Sequence, residues 1–322
     1  MKNFNKSGFH IVFYFLIFAA AVLLAPFSGS SSISINNIIS NPDSLDYIIF
    51  FNQRVPRVIT GMFCGAGLAV SGSCLQIILK NALAEPYILG VSGFGALFLS
   101  VSIIFFENII HPGLASLTGC LCAVFIIDYC FRYFRGDSGS TILAGVSLNI
   151  LSASLILFLK YFATPEKLIS LERWYMGSLD VIGFDNLLWL IIPVISGIFI
   201  IVLFSRELNI MGFNLASAHA RGFDPERIRR ILYCATGIIS SVIVWTAGPV
   251  GFVGLIIPHI VKYISGHDMR IVIMGSAFLG GAFLVICDIL ARIIIAPAEL
   301  PVGIITALAG SPVFLIILFR RS

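Results

Sequence analysis

The sequence predicts an all-α, polytopic membrane protein with about ten transmembrane helices. Hydrophobic residues make up 58% of its 322 positions, charged residues only 11%, and the mean hydropathy is +1.02. A soluble domain carries about 25% charged residues and has no interior large enough for so much apolar surface. Because a helix needs about 20 apolar residues to cross the hydrocarbon core, long apolar runs mark the spans. They lie at residues 9–25, 55–79, 88–106, 112–131, 141–161, 186–204, 231–247, 249–265, 271–291 and 302–319.

The distribution of positive charge predicts the orientation, since Lys and Arg concentrate on the cytoplasmic side of short loops. Placing the N-terminus inside assigns most of the 20 Lys and Arg residues to cytoplasmic segments, and both termini are then cytoplasmic. The first run, flanked by Lys2 and Lys6, could instead be a cleaved signal peptide. That alternative leaves nine spans without changing the side of any later loop, although no clear small-residue cleavage site precedes the polar loop.

We expect a single transmembrane domain over residues 1–322. An outer loop at about 27–53 is rich in Ser and Asn, and its Ile residues suggest short surface helices. A hydrophilic, basic segment at about 205–230 interrupts the apolar pattern on the inner side. Basic inner loops of this kind account for the net charge of +4, and no basic strip interleaved with aromatics indicates a nucleic-acid partner.

The sequence predicts no catalytic or metal-binding arrangement. The five His residues are scattered, and the seven Cys residues lie in or beside predicted spans without C-x-x-C spacing. We interpret these cysteines as small apolar packing residues. Neither an H-E-x-x-H motif nor a P-loop occurs. Any ATP-driven motor that acts on this chain is therefore expected on a separate polypeptide.

Three arginines are predicted on the outer side. Arg54 and Arg57 flank Val55-Pro56 at the start of the second span, and Arg292 ends the ninth. Guanidinium groups displayed there could hold carboxylates of a docking protein through bidentate hydrogen bonds. The alternative is that Arg292 pairs with Asp288 at helical spacing while the other two contact lipid headgroups. The residues by themselves leave both possibilities open.

On the inner side, the basic segment contains a short possible helix at 214–221 that ends at Gly222. Asp224, Pro225 and Glu226 follow, which is the pattern of a capped helix start. Two short, stiff helices could receive force from a soluble partner. An ordinary interfacial loop is the alternative.

The predicted eighth span has an unusual composition. Pro249 and Pro258 each remove a backbone donor, and Gly248, Gly251 and Gly254 weaken the helix around them. Broken helices persist at membrane depth where protein or a water-filled cavity satisfies the freed backbone groups. We therefore expect a discontinuous helix beside a transport path.

The chain resembles the FecCD-type permeases of bacterial ABC importers for iron-siderophore complexes, haem and cobalamin. The similarity covers nearly the whole chain, and several long motifs occur in the order typical of that family. The most specific pieces are residues 54–57 (RVPR), 81–86 (NALAEP), 89–92 (LGVS), 143–146 (LAGV), 174–179 (WYMGSL), 247–259 and 296–303.

The resemblance implies a multi-pass permease subunit of the bacterial cytoplasmic (inner) membrane, surrounded by membrane lipid. It would pair with a second permease subunit, expected to be a second copy, and with two cytoplasmic ATPase subunits. An extracytoplasmic substrate-binding protein would deliver the cargo. This chain is then not an enzyme and needs no cofactor of its own, because ATP and Mg²⁺ bind to the partner ATPase.

The resemblance also assigns roles to residues of this sequence. The arginines matching Arg54, Arg57 and Arg292 are expected to receive acidic residues of the binding protein. The segment 209–222 matches the coupling region that contacts the ATPase. The residues predicted to make that contact are Asn214, Leu215, Ala218, His219, Arg221 and Gly222. The loop predicted to line and gate the translocation path consists of Ser138, Gly139, Ser140 and Thr141.

The predicted function is ATP-driven import by alternating access between an outward-open and an inward-open state. A ligand can drive such a change only if it binds the two states with different affinity, and ATP is expected to be that ligand. Ferric siderophore is the expected cargo because it is the commonest in the family, with haem or cobalamin as alternatives. An ion-coupled secondary transporter would need ionisable groups inside the membrane. Here Asp128, Lys160, Asp288 and Glu299 sit near span ends. An intramembrane enzyme would need a nucleophile or metal set, and the sequence contains neither.

Overall fold

The structure, a computed structural model, describes residues 2–29, 33–40, 43–106, 109–134, 137–185, 187–213 and 223–321. This part of the chain is helical and contains no β-strand. The α-helices are α1 (Lys2–Leu24), α2 (Ile35–Ser40), α3 (Leu45–Ile49), α4 (Val55–Ile78), α5 (Val91–Phe105), α6 (Pro112–Tyr133), α7 (Ser138–Lys160), α8 (Pro165–Tyr175), α9 (Leu187–Leu203), α10 (Ser205–Phe213), α11 (Pro225–Ala247), α12 (Val253–Ser265), α13 (Met269–Ile293) and α14 (Val302–Arg321).

A helix lies in each predicted apolar run. Among the described residues, six helical stretches are long and apolar enough to cross a membrane alone. The pair α9 and α10 passes the same test together but is bent by 57°. The apolar helices α5 and α12 and the apolar part of α14 are shorter. The all-α membrane fold is therefore confirmed, while the number of spans stays a prediction.

Local signals in the sequence explain where several helices begin. Pro residues occupy the first turn of α4, α6, α8 and α11, where a missing N–H costs no hydrogen bond. The predicted cap at Asp224 is confirmed, because its Oδ1 accepts from the backbone N–H groups of Glu226 and Arg227 at 2.9 and 3.4 Å. The outer loop contains the short helices α2 and α3, as expected, followed by a π-helical turn over Phe50–Arg54.

Helix α4 lies at the centre of the bundle and packs along α13, with α12, α11 and α9 around it. Small residues permit this close packing. A Cβ added to Gly65 would collide with the backbone carbonyl of Gly280, and one added to Gly72 would collide with that of Gly254. In a membrane, close backbone approach replaces the hydrophobic drive between helices. The small residues of the second span thus act in packing between helices of this chain.

The predicted discontinuity of the eighth span is confirmed. Residues 248–252 are not helical, and both Gly248 and Phe252 have φ of +69°. Neighbouring elements satisfy the freed backbone groups. The Val250 N–H donates to the Tyr87 hydroxyl at 3.0 Å, and the Phe252 N–H donates to the Glu85 carboxylate. Protein rather than lipid therefore surrounds this stretch, as broken helices require.

Candidate functional sites

Arginines gather at one end of the bundle, which we call the outer end because the charge distribution predicts that it faces outside. The N-terminus of α4 carries Arg57, and the turn before it carries Arg54. The C-terminal turn of α13 brings Arg292 to the same place, one helical turn after Asp288. The three guanidinium groups line a cavity of about 50 Å³ together with Glu299.

Asp288 joins α4 to α13 at this end. Its Oδ1 accepts from Arg57 Nε at 2.9 Å, and its Oδ2 lies 3.1 Å from Arg292 Nη2. The Asp288 side chain is only 2% exposed. A buried carboxylate is tolerated when opposite charges and hydrogen bonds replace its water. The two arginines supply both, so this ion pair is part of the packing between the two helices.

The Nη1 atom of Arg57 contacts two additional carboxylates, both of which are more exposed than Asp288. Arg57 Nη1 lies 2.7 Å from Asp180 Oδ1 and 2.6 Å from Glu299 Oε2. Asp180 is 67% exposed and Glu299 33% exposed. Arg57 thus has a buried inner contact through Nε and an outward-facing nitrogen shared by two surface loops.

Arg54 and Arg292 are less accessible than the sequence suggests. Their residues are 5% and 2% exposed, and each donates through Nη1 to a backbone carbonyl, Pro26 for Arg54 at 3.1 Å and Ser28 for Arg292 at 2.9 Å. Arg292 also pairs with Asp288, which was the alternative considered for it. The expectation of displayed guanidinium groups is therefore not met for Arg54 and Arg292, whereas Arg57 keeps Nη1 on the accessible side. Their role in docking stays a prediction.

Three of the sequence motifs meet behind this charge cluster. The backbone at Met176 and Gly177 passes between Gly248 and Gly303, and a Cβ on any of these glycines would meet a neighbouring carbonyl oxygen. The Ser178 N–H donates to the Ala247 carbonyl at 2.9 Å. The motifs at 174–179, 247–259 and 296–303 therefore form one junction of backbones. This junction positions the loop that carries Asp180.

The six residues predicted to contact the ATPase, Asn214, Leu215, Ala218, His219, Arg221 and Gly222, lie outside the described residues. The structure does describe the helices on both sides. On α10, Leu208 and Met211 are buried, so the first part of the hydrophilic segment packs into the bundle. Asn209 Nδ2 donates to Asp268 Oδ1 at 2.9 Å, and its Oδ1 accepts from the Met269 N–H at 2.8 Å. Sequence reasoning missed this anchor, which ties the segment to the start of α13.

A second ion-pair cluster lies at the inner end. Asp128 on α6 accepts from Arg230 Nε on α11 at 2.9 Å and lies 3.0 Å from Arg132 Nη2, one turn along its own helix. The Asp128 side chain is 7% exposed, whereas the two arginine side chains are about half exposed. Because Arg230 lies near the start of α11, this pair connects the end of the basic segment to α6.

The predicted gate residues form the first turn of α7 rather than a loop. Asp137 caps this helix, because its Oδ2 accepts from the Ser140 N–H at 2.7 Å and its backbone carbonyl accepts from the Thr141 hydroxyl at 2.7 Å. Hydrogen bonds from Ser140 lower the pKa of Asp137 below its usual value. Ser138, Gly139 and Ser140 are at least partly accessible and Thr141 is buried. The cap fixes the turn, and its gating role stays a prediction.

The four ionisable residues that the sequence analysis places near span ends, Asp128, Lys160, Asp288 and Glu299, each have a partner of opposite charge. Lys160 Nζ lies 2.6 Å from Glu172 Oε1, and the pairs of Asp128, Asp288 and Glu299 are given above. Ion-coupled transport needs a group that can change its charge during the cycle. Carboxylates neutralised by arginines are poorly suited to this. The arrangement therefore disfavours a secondary transporter.

The comparison with protein families decides the identity. The model of the FecCD transport family matches residues 16–320. The chain belongs to the FecCD transport family. It is an ABC importer permease, a multi-pass protein of the cytoplasmic membrane and not itself an enzyme. Permeases of this kind act with a separate ATPase and a binding protein.

Individual relatives are also ABC transporter proteins. The chain is 33% identical to the uncharacterized ABC transporter permease protein YvrB of Bacillus subtilis (strain 168), covering 100% of this chain and 96% of the relative. It is 34% identical to the vitamin B12 import system permease protein BtuC of Escherichia coli O127:H6, covering 83% of this chain and 82% of BtuC. A solved structure of a metal-chelate type ABC transporter in an inward-facing conformation matches with a TM-score of 0.87 and 27% identity, over 96% of this chain and 98% of that one.

Proposed function

We propose that this FecCD permease imports a metal chelate and that cobalamin is its cargo. The observation that carries the proposal is the 34% identity to the vitamin B12 permease BtuC over 83% of the chain. A ferric siderophore, the cargo expected from the sequence, is the second candidate, because the structural neighbour is of the metal-chelate type. Both cargoes are a metal ion held in a large organic ligand.

In the proposed mechanism, a loaded binding protein docks on the outer end, where acidic side chains engage the arginine cluster. Arg57 supports this role best. Its Nε is held by the buried Asp288, so the guanidinium is pre-oriented, and its Nη1 points toward the exposed side. A fixed guanidinium loses little side-chain entropy when it binds another carboxylate.

At the inner end, ATP binding would close the ATPase subunits and move the basic segment. Two described anchors support transmission of this movement into the bundle. Asn209 connects α10 to the start of α13, and Arg230 connects α11 to α6. Two copies of the chain would then rock between states open to either side, with the first turn of α7 as part of the gate.

Uptake by the reconstituted transporter tests the cargo. The complete complex in proteoliposomes, with its binding protein and internal ATP, is offered radiolabelled cyanocobalamin, ⁵⁵Fe-siderophore or ⁵⁵Fe-haem. We expect ATP-dependent accumulation of cobalamin that excess unlabelled cobalamin abolishes. Accumulation of ⁵⁵Fe-siderophore or ⁵⁵Fe-haem without cobalamin uptake would instead identify that iron complex as the cargo. ATP-independent uptake driven by an ion gradient would contradict the importer mechanism.

Docking needs a variant that keeps a positive charge beside the buried Asp288. A Glu at position 57 would place a carboxylate against Asp288, so Arg57→Lys is the better choice because it keeps the positive charge but loses the outward nitrogen. We expect binding of the substrate-binding protein to weaken by about tenfold, the equivalent of about 1.4 kcal/mol. Arg173→Lys is the control, because Arg173 is an exposed arginine on α8 at the same end. If Arg57→Lys and Arg173→Lys bind the substrate-binding protein with equal affinity, Arg57 is not part of the docking surface.

A further inference from the structure

We propose that Asp180 and Glu299 are internal substitutes for the carboxylates of the binding protein. In the undocked permease they occupy the outward-facing Nη1 of Arg57, and docking displaces them. The inference rests on the proposed docking function and adds the residues that set its affinity. Asp180 and Glu299 would thus regulate the affinity for the binding protein, although neither lies in an element that carries one of the docking arginines.

Geometry makes an exchange necessary at Arg57 Nη1. Arg57 Nη1 lies 2.7 Å from Asp180 Oδ1 and 2.6 Å from Glu299 Oε2. These are the distances of charge-assisted hydrogen bonds. A carboxylate from a partner can reach this nitrogen only by taking the position of one that is already there. Two carboxylates on one nitrogen also repel each other, so the resident arrangement holds less tightly than a single optimal pair.

Exposure determines which of the three carboxylates can leave. Asp288 is 2% exposed, and its removal from Arg57 would leave a buried charge without compensation. Asp180 is 67% exposed, so water and salt can solvate it once it is released. Glu299, at 33%, is intermediate. Arg57 therefore stays anchored through Nε while its outer contact can be exchanged.

The two loops also suit this role by their position. Asp180 follows the backbone junction at Gly177, and Glu299 lies in the connection between α13 and α14. They come from separate parts of the chain and converge on Arg57 from the accessible side. An arginine cluster without resident carboxylates would attract any anion. Resident carboxylates restrict binding to a partner whose acidic groups compete successfully, which is a form of specificity.

Neutralising the competitor tests the inference. The probe is the cognate substrate-binding protein, and its affinity is measured by biolayer interferometry on the complete transporter in nanodiscs. Asp180→Asn should tighten binding about twofold to fivefold, since an exposed ion pair of this kind no longer has to be broken. Asp185→Asn is the matched control. It removes the same charge from the same exposed loop, and Asp185 forms no ion pair within the described residues. Glu299→Gln should tighten binding in the same direction as Asp180→Asn.

The outcomes separate this inference from the docking proposal. Tighter binding by Asp180→Asn, with Asp185→Asn equal to the unmodified chain, supports the exchange. Equal binding by both variants, or weaker binding by Asp180→Asn, overturns it. If Arg57→Lys weakens docking in the same assay while Asp180→Asn has no effect, only the exchange fails. If Arg57→Lys also has no effect, the docking proposal and the exchange fail together. A melting curve of Asp180→Asn confirms that the fold is unchanged.

Discussion

Two buried aspartates, one at each end of the bundle, are both neutralised by a pair of arginines, but the two arginine pairs differ in their exposure to solvent. Asp288 joins α4 to α13 at the outer end, and Asp128 joins α6 to α11 at the inner end. Each accepts from one arginine on the neighbouring helix and lies close to another one turn along its own. The arginines at Asp288 are 11% and 3% exposed, whereas those at Asp128 are 51% and 55% exposed.

The contrast in exposure indicates that the two clusters have different mechanical roles. At the outer end, both signs of charge are desolvated, so separating them is costly and the helices stay together. At the inner end, water can solvate the arginines when the pair opens, so rearrangement costs less. Under the proposed mechanism this places a rigid platform where the binding protein docks and an adjustable contact where the ATPase acts.

The largest effect is expected when the outer cluster is broken. Asp288→Asn would leave Arg57 and Arg292 without their buried counter-charge, at a cost of about 3–5 kcal/mol. We expect a sharp loss of folded protein, measured as the monodisperse fraction in detergent and as thermal unfolding. A melting temperature equal to that of the unmodified chain would show that the outer cluster is no more than a surface pair.

Glu85 tests what happens to a buried carboxylate without an arginine. It lies between α4 and α5, forms no ion pair among the described residues, and its Oε2 has no hydrogen-bond donor there. Burial raises its pKa to about 7, while the hydrogen bond from the Phe252 N–H acts in the opposite direction. Between pH 4.5 and pH 7 the folded state therefore keeps a proton that the unfolded state has released. This lowers stability as pH rises through that window.

For this reason Glu85→Gln should stabilise the protein, by about 1–2 kcal/mol at pH 8, and the gain should disappear near pH 5. Melting temperatures of both forms across this range provide the measurement. Asp137→Asn is a useful comparison, because Asp137 has a lowered pKa and its loss should destabilise at neutral pH. A gain for Glu85→Gln that does not depend on pH would assign the effect to packing rather than to charge.

A smaller loss is expected at the inner cluster. Asp128→Asn leaves two arginines that are already about half exposed and can turn toward water. We expect destabilisation of about 1 kcal/mol, clearly less than for Asp288→Asn. High salt should reduce the stability difference between Asp128→Asn and the unmodified chain, because exposed charges are screened. Equal losses at the two aspartates would remove the proposed difference between the ends.

The smallest effect should come from a pair whose carboxylate is itself about half exposed. Lys160 and Glu172 are 24% and 52% exposed and lie 2.6 Å apart. Glu172→Gln is expected to cost about 0.2–1 kcal/mol. With Asp288→Asn and Asp128→Asn, Glu172→Gln forms a series in which the expected loss of stability increases with the burial of the carboxylate. A loss larger than that of Asp128→Asn would break the series.

Features that depend on neighbours in the chain were predictable from the sequence. The Asp224 cap and the broken helix after Gly248 follow from residue type and spacing, and the structure has both. The cap at Asp137 was missed although the same rule applies there. Asp is a favoured N-cap residue, and Asp137 lies three residues before Ser140, the position whose N–H it accepts in the structure. With this signal, the predicted gate loop would have been assigned to α7.

The sequence by itself determined the all-α membrane class and pointed to the family, because hydrophobic runs and local motifs need no knowledge of distant residues. Only the tertiary structure decided which charges meet. Arg57 pairs with a carboxylate 231 positions away, and Asp180 reaches the same guanidinium through a junction of three separate segments. The strength of such pairs depends on desolvation, which arises when helices pack together and has no counterpart in the order of residues along the chain.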